Sequence, residues 1–177
     1  MVSGAQCVTL PGMMVRGMLV LLSAVVLCSC GGGYKGYMTK PYTVRGQHYT
    51  PLSVEQALRY KERGEASWYD ESSWMGFKRG NTSLGEKVSR RAVSGAHKTL
   101  PLPCRVKVTK LENGKSLTMR LNDRGPFIAG RIIDVTPRAA AKLGFKDRGL
   151  TNVEVRVLSV GDGKYERKAD RKWIPFF

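Results

Sequence analysis

The sequence predicts a mainly β domain, a small barrel or sandwich, and three observations carry that expectation. Short runs alternate apolar and polar residues, as in Cys104 to Thr109 (CRVKVT) and at Val153, Val155 and Val157. Turn signals recur at close intervals, with Asn113-Gly114 between two such runs and Gly125-Pro126 between two more. Only two stretches read as helix, and both are short. Many short strands punctuated by Gly, Pro and Asn are the pattern of a closed or sandwiched sheet. Periodicity alone leaves barrel and sandwich open.

In chain order, the N-terminus supplies an address. Gly17 to Leu27 is an unbroken apolar run preceded by Arg16. It is too short to span a bilayer, which takes about 20 residues, but it suits a secretory signal. Leu27-Cys28-Ser29-Cys30 then resembles a bacterial lipobox, with Cys30 as the lipidated first residue of the mature protein; a plain cleaved signal is the alternative. Met1 to Gly12 carry no positive charge, so the start is expected at Met13 or Met14, which makes Arg16 the basic flank. The expected organisation is a signal peptide over 1–29, a lipidated N-terminus and tether over 30–52, a short helix over 53–64, the β domain over 65–160 and a basic tail over 161–177.

Composition narrows the partners. The chain has 30 Lys+Arg against 14 Asp+Glu, a formal charge of +16. Removing residues 1–29 takes away only Arg16, leaving +15. Such a surface favours polyanions: nucleic acid, anionic lipid or an acidic wall polymer. No arginine-rich arm, zinc-finger spacing or aromatic RNA-binding signature supports nucleic acid, which is not an expected partner. Of four cysteines, Cys7 and Cys28 leave with the signal and Cys30 is acylated. Cys104 is then alone, so no internal disulfide and no cysteine-built metal site is expected. In its strand-like run it reads as a small buried apolar residue.

Ser53-Val54-Glu55-Gln56 is a capping box, which predicts a helix from Val54 to about Arg63, stopped by Gly64. Glu65 to Tyr69 reads as a strand, with Trp68 and Tyr69 supplying core or sugar-stacking surface. Asp70 to Ala96 is loop-like, rich in Gly, hydroxyls and Lys/Arg. Cys104 to Thr109 and Ser116 to Leu121 flank Asn113-Gly114 as a hairpin. Thr136-Pro137 opens a second helix that Gly144 closes. Whether the tail beyond Gly161 packs back is open.

Chemistry concentrates in Arg120 to Arg138. Asp123 sits between Asn122 and Arg124, followed by Gly125-Pro126, with Leu117, Met119 and Leu121 before and Ile132, Ile133 and Val135 after. Two strands joined by a rigid turn would present a carboxylate, and acid/base chemistry depends first on placement. The plain alternative is an Asx-type turn. Glu86 and His97 stand beside similar signals; alone they also read as a solvated loop charge and a core histidine. Two carboxylates and a histidine on one barrel suit cleavage of a glycosidic bond.

Several motifs then occur in order: Gly64-Glu65-Ala66-Ser67-Trp68-Tyr69, Thr82-Ser83-Leu84-Gly85-Glu86, Ala96-His97-Lys98-Thr99-Leu100-Pro101, Asn122-Asp123-Arg124-Gly125-Pro126-Phe127 and Arg131-Ile132-Ile133-Asp134-Val135. With Lys40 to Gly46 upstream, this resembles the rare lipoprotein A family, endolytic peptidoglycan transglycosylases on a six-stranded double-psi β-barrel. The resemblance implies a lyase rather than a hydrolase; no cofactor or metal is expected. Asp123 would protonate the glycosidic oxygen between N-acetylmuramic acid and N-acetylglucosamine, and the muramyl 6-hydroxyl would close on C1 to leave a 1,6-anhydro end. Glu86 would deprotonate that hydroxyl or steady the cationic transition state, and His97 would orient or polarise one of the two. Arg124, Trp68 and Tyr69 are the expected substrate-binding residues, and Asp134 is read as structural, pairing Arg124 or Arg131.

Asp70 stands where the family has glycine, the loop before Glu86 is longer, and Pro103-Cys104 replaces Gly-Thr. Residues 161–177 are too few for the sporulation-related domain of many relatives, so location is expected from the Cys30 anchor, the outer membrane facing the periplasm, and from basic charge. The rival reading is an expansin-like wall-binding module that does not cleave. Oligomeric state is not legible.

Overall fold

A computed structural model describes residues 36–70 and 80–170. The expected signal peptide, Cys30 and the last residues of the tail, 171–177, lie outside the described residues.

The alternating runs form the expected hairpin. β5 (Cys104–Lys110) pairs antiparallel with β6 (Ser116–Asp123), with Val106 opposite Met119 and Val108 opposite Leu117. The other barrel strands are β3 (Lys61–Trp68), β4 (Ser94–His97), β7 (Arg131–Val135) and β8 (Leu150–Val160). They bond in the order β3-β7-β4-β6-β5-β8, and β8 returns to β3, so six strands close a barrel. The pairs β3–β7 and β4–β6 are parallel, the others antiparallel. Inward residues of this ring are Val106, Val108, Leu121, Ile133, Val135, Val153, Val155 and Val157, all fully or almost fully buried. The outcome is the mainly β double-psi barrel of the sequence reading.

The helices are α1 (Val54–Leu58) and α2 (Pro137–Leu143). α1 carries the expected capping box: Gln56 N donates to Ser53 Oγ at 3.2 Å and Ser53 N to Gln56 Oε1 at 3.0 Å. α2 opens after Thr136 and ends at Gly144.

Several boundaries differ from expectation. α1 stops at Leu58 rather than about Arg63, because Lys61 to Gly64 already pair with Val153 to Arg156 of β8. Gly64 therefore ends no helix. A Cβ there would lie 2.6 Å from Ile132 Cγ2, so glycine leaves room for the Ile132 side chain against β3. The stretch expected as loop up to Ala96 contains β4, four buried residues with no alternation to betray them. β6 and β7, which the Gly125-Pro126 turn joins in sequence, do not pair, since β4 lies between them.

The expected tether is also corrected from residue 36 onward. β1 (Tyr42–Val44) and β2 (Gln47–Tyr49) form a hairpin. Met38 N bonds Leu102 O and Leu52 N bonds Thr99 O, both at 2.7 Å, so the segment is fastened to the barrel. The tail packs back as far as it is described. After a 3₁₀ turn (Gly163–Tyr165), β9 (Arg167–Lys168) extends the sheet along the end of β8.

Candidate active site

A bulge sets the direction of Asp123, the last residue of β6. Leu121 and Asp123 pair with Gly95 and Ala96 of β4, leaving Asn122 as the extra residue. Bulges re-aim side chains. Here Asn122 bonds Glu86 and Asp123 bonds Ser83, so both meet the turn over residues 82–86. That turn is held by Thr82 N on Glu86 O at 2.7 Å and Gly85 N on Thr82 O at 2.8 Å.

Asp123 is 8% exposed. Its Oδ1 accepts from Ser83 N at 2.8 Å, Ser83 Oγ at 2.6 Å and Arg124 N at 2.8 Å. Among the described residues no group donates to Oδ2. A proton on Oδ2 leaves all three donors satisfied, because Oδ1 remains an acceptor whether or not its partner is protonated. Asp123 borders a groove of about 610 Å³ whose walls include Tyr42, Val44, Ser83, Arg124 and Phe127.

The β1–β2 hairpin builds one wall. Tyr42 stacks on Tyr49 with centroids 5.2 Å apart, and Tyr49 lies 5.4 Å from Phe127. Gly125, between Asp123 and Phe127 in the chain, has φ of 129°, which other residues rarely adopt. The turn that presents the carboxylate is thus fixed by its own backbone and by the hairpin.

Glu86 has different surroundings. Arg120 Nη1 and Nη2 grip its two oxygens at 2.8 Å each, and Asn122 Nδ2 donates to Oε2 at 2.7 Å. Such forked pairs are among the stronger hydrogen bonds. Burial pushes the Glu86 carboxyl upward, but the Arg120 and Asn122 hydrogen bonds outweigh it and hold the group below its ordinary value. Arg120 Nε also donates to Asp162 Oδ2 at 2.7 Å, so two carboxylates share one guanidinium. Glu86 lines a second hollow of about 230 Å³, with Tyr69, Ser89 and Asn122. Thr82 borders both hollows.

His97 lies apart from both carboxylates in its bonding. Its Nδ1 accepts from Thr99 N at 3.2 Å and Leu100 N at 3.1 Å, and its Nε2 sits 2.8 Å from Tyr60 Oη. It is 3% exposed. Burial first, then the charges of Lys98 and Arg124, bring its pKa down to about 3, so the ring is neutral. With Nδ1 accepting, the single ring proton is on Nε2 and points at Tyr60, whose hydroxyl donates to Glu62.

The Arg124 guanidinium is committed to backbone carbonyls: Nη1 to Lys98 O at 3.2 Å and Leu100 O at 2.5 Å, Nη2 to Met38 O at 2.8 Å. It also lies 5.1 Å over the Tyr42 ring. Of the two expected aromatic contacts, Tyr69 reaches the Glu86 hollow, whereas Trp68 packs on the core, donates to Lys146 O at 2.9 Å and borders another hollow with Asp70 and Arg138. Asp134 is bonded by Ser67, which Arg131 contacts at 3.2 Å. Cys104 is fully buried and its thiol is pushed up to about 12 by burial, in keeping with a small apolar role.

Ser83, Arg120, Asn122, Tyr42 and Phe127 were not singled out by sequence reasoning. Ser83, Asn122, Tyr42 and Phe127 stand inside the motifs that were, so proximity to Glu86, Asp123 and the upstream lead-in was the available signal.

Over residues 61–155, more than half of the chain, the sequence matches the double-psi β-barrel family described as lytic transglycolase. The chain belongs to the lytic transglycolase family. Proteins named endolytic peptidoglycan transglycosylase RlpA are similar to this member. That of Rickettsia felis is 41% identical over 141 residues, covering 78% of this chain and 60% of the relative. That of Neisseria meningitidis serogroup A is 44% identical over 122 residues, covering 69% and 48%. That of Pseudomonas aeruginosa strain UCBPP-PA14 is 45% identical over 115 residues, covering 65% and 32%. This lytic transglycolase chain spans about half the length of the curated relatives it matches. Among solved structures, Streptomyces papain inhibitor is 20% identical, covering 55% of this chain and 94% of that one, with a TM-score of 0.43. The apo expansin of Clavibacter michiganensis is 15% identical, covering 59% and 53%, with a TM-score of 0.43. Both likenesses are too loose to bear on function.

Proposed function

We propose that this protein is an endolytic peptidoglycan transglycosylase that cleaves between N-acetylmuramic acid and N-acetylglucosamine and leaves 1,6-anhydromuramyl ends. The observation that carries the reading is the one-sided clamp on Asp123: three donors on Oδ1 and, among the described residues, none on Oδ2, at the edge of an aromatic-walled groove. The Oδ2 proton passes to the glycosidic oxygen as the bond to C1 breaks. The muramyl 6-hydroxyl closes on C1, and its proton returns to Asp123, so no water is consumed.

Glu86 acts as a fixed anion. Both its oxygens are held by donors, and with Asp162 it outweighs the one charge of Arg120, leaving net negative charge for the cationic transition state. Tyr69 on the Glu86 side, and Phe127 and Arg124 on the Asp123 side, line the glycan path. Trp68 contributes packing. The lipobox-like sequence supports an anchor at Cys30 and a location at the outer membrane facing the periplasm, and the +16 charge supports retention by an acidic wall.

The test incubates the purified protein with peptide-bearing and peptide-free glycan strands and reads the products by mass spectrometry. Anhydromuramyl ends are expected. Reducing ends would make it a hydrolase. No cleavage, with retention on the wall that weakens in salt, would replace the enzyme by a binding module.

A further inference from the structure

Of the groups near the site, His97 is the one whose chemistry conflicts most with its surroundings. A proton carrier needs a nitrogen within hydrogen-bond reach of the reacting atoms. Neither nitrogen of His97 is available for that. Nδ1 accepts the backbone N–H of the residues two and three further along, Thr99 and Leu100. Nε2 faces the Tyr60 hydroxyl, which is already directed onward to Glu62. The ring is buried and lines neither the Asp123 groove nor the Glu86 hollow.

What the ring does hold is the turn after β4. By taking the N–H groups of Thr99 and Leu100, Nδ1 does the work of an Asx-turn oxygen. The carbonyls of that same turn face the other way. Lys98 O accepts from Arg124 Nη1 and from the Tyr42 hydroxyl, the latter at 2.7 Å, and Leu100 O accepts from Arg124 Nη1. Arg124 N in turn donates to Asp123 Oδ1. Continuous contacts therefore run from the imidazole through the turn to Arg124, and from there to the acid and the groove wall.

We infer that His97 is a positioning residue, a neutral clasp that shapes the 97–100 turn and through it fixes Arg124, Tyr42 and Asp123, and exchanges no proton with the glycan. The role rests on the proposed transglycosylase activity, but the clasp can be tested without it.

Asparagine places Oδ1 where histidine has Nδ1 and can accept the same two N–H groups, yet it cannot act as acid or base. His97→Asn is therefore expected to keep kcat within about threefold of the wild type, whereas His97→Ala, which frees the turn, loses about 10²-fold through misplacement of Asp123. Combining His97→Ala with Arg124→Ala is expected to lose little more than either change alone, because they break the same support. Nitrogen NMR of the wild-type imidazole, which needs no activity, is expected to show a proton on Nε2 and none on Nδ1 at neutral pH. Equal inactivity of the folded Asn and Ala variants would overturn the inference, as would a proton on Nδ1 or a charged ring. If the wild type cleaves no glycan, the proposed function fails while the NMR result still decides the clasp.

Discussion

Two carboxylates meet the same five-residue turn, and their settings are opposite. Asp123 is held on one oxygen by uncharged donors, and the residue borders the groove. Glu86 is held on both oxygens, by a guanidinium and an amide. The first can carry and release a proton without breaking its support. The second cannot take one without weakening a charged pair. In the proposed mechanism, the division of labour between the two acids follows from environment, not residue type.

The largest effect is expected from removing the acid. Asp123→Asn keeps the three donors on the amide oxygen but cannot give up a proton usefully, so cleavage falls by about 10³-fold with the melting temperature little changed. A fall below tenfold in a kinetic assay would remove Asp123 from the acid role.

Glu86→Gln leaves Arg120 facing one carboxylate in place of two. Activity is expected to fall by about 10²-fold, and the melting temperature with it. Loss of activity alone, at unchanged stability, would mean that the Arg120 pair contributes nothing to the fold and would weaken the contrast with Asp123.

The third effect is on stability against pH. The folded pKa of His97 is about 3 against an ordinary 6.5, so between these values the unfolded chain binds the extra proton. Stability from this group is whole above pH 6.5 and is lost as pH falls toward 3. At pH 5 the loss is about 2 kcal/mol. Glu86, with its lowered value, keeps its contribution above its ordinary 4.5 and loses it only below, so a measurement at pH 5 sees the His97 loss first. Urea unfolding of the wild type and His97→Asn at pH 7 and pH 5 checks this; the variant is expected to lack the decrement, and equal decrements would contradict it.

The smallest effect is expected from Ser83→Ala, which removes one of three donors to Oδ1 and costs about tenfold in kcat. A loss as large as that of Asp123→Asn would make Ser83 part of the chemistry and break the comparison.

Local signals gave the sequence reading its successes. The Asn113-Gly114 hairpin, the Ser53 capping box, the Thr136 to Gly144 helix and the alternation of β8 are all written in neighbouring residues. Ring closure was not, because the parallel pairs β3–β7 and β4–β6 join distant segments. β4 escaped because Ser94, Gly95, Ala96 and His97 are all buried, so no face alternates. The hairpin over the groove escaped because its strands are short and polar, and its anchors, Tyr42 on Lys98 and Met38 on Leu102, are far along the chain.

At the site, the turn that presents Asp123 was legible from Gly125-Pro126, whereas its clamp was not, since Ser83 lies 40 residues away. Arg120, 34 residues from Glu86, was hidden in the same way. The contact of His97 with its own turn is local, but sequence does not say which nitrogen faces which partner.

The most direct test of the division between the two carboxylates replaces the natural leaving sugar by one that needs no acid. A muramyl glycoside with a nitrophenyl leaving group departs without protonation, so an enzyme lacking only its acid should regain most of its rate on it. The expected result is recovery by Asp123→Asn and continued slowness by Glu86→Gln. Recovery by the Glu86 variant with none by the Asp123 variant would exchange their roles and contradict the account.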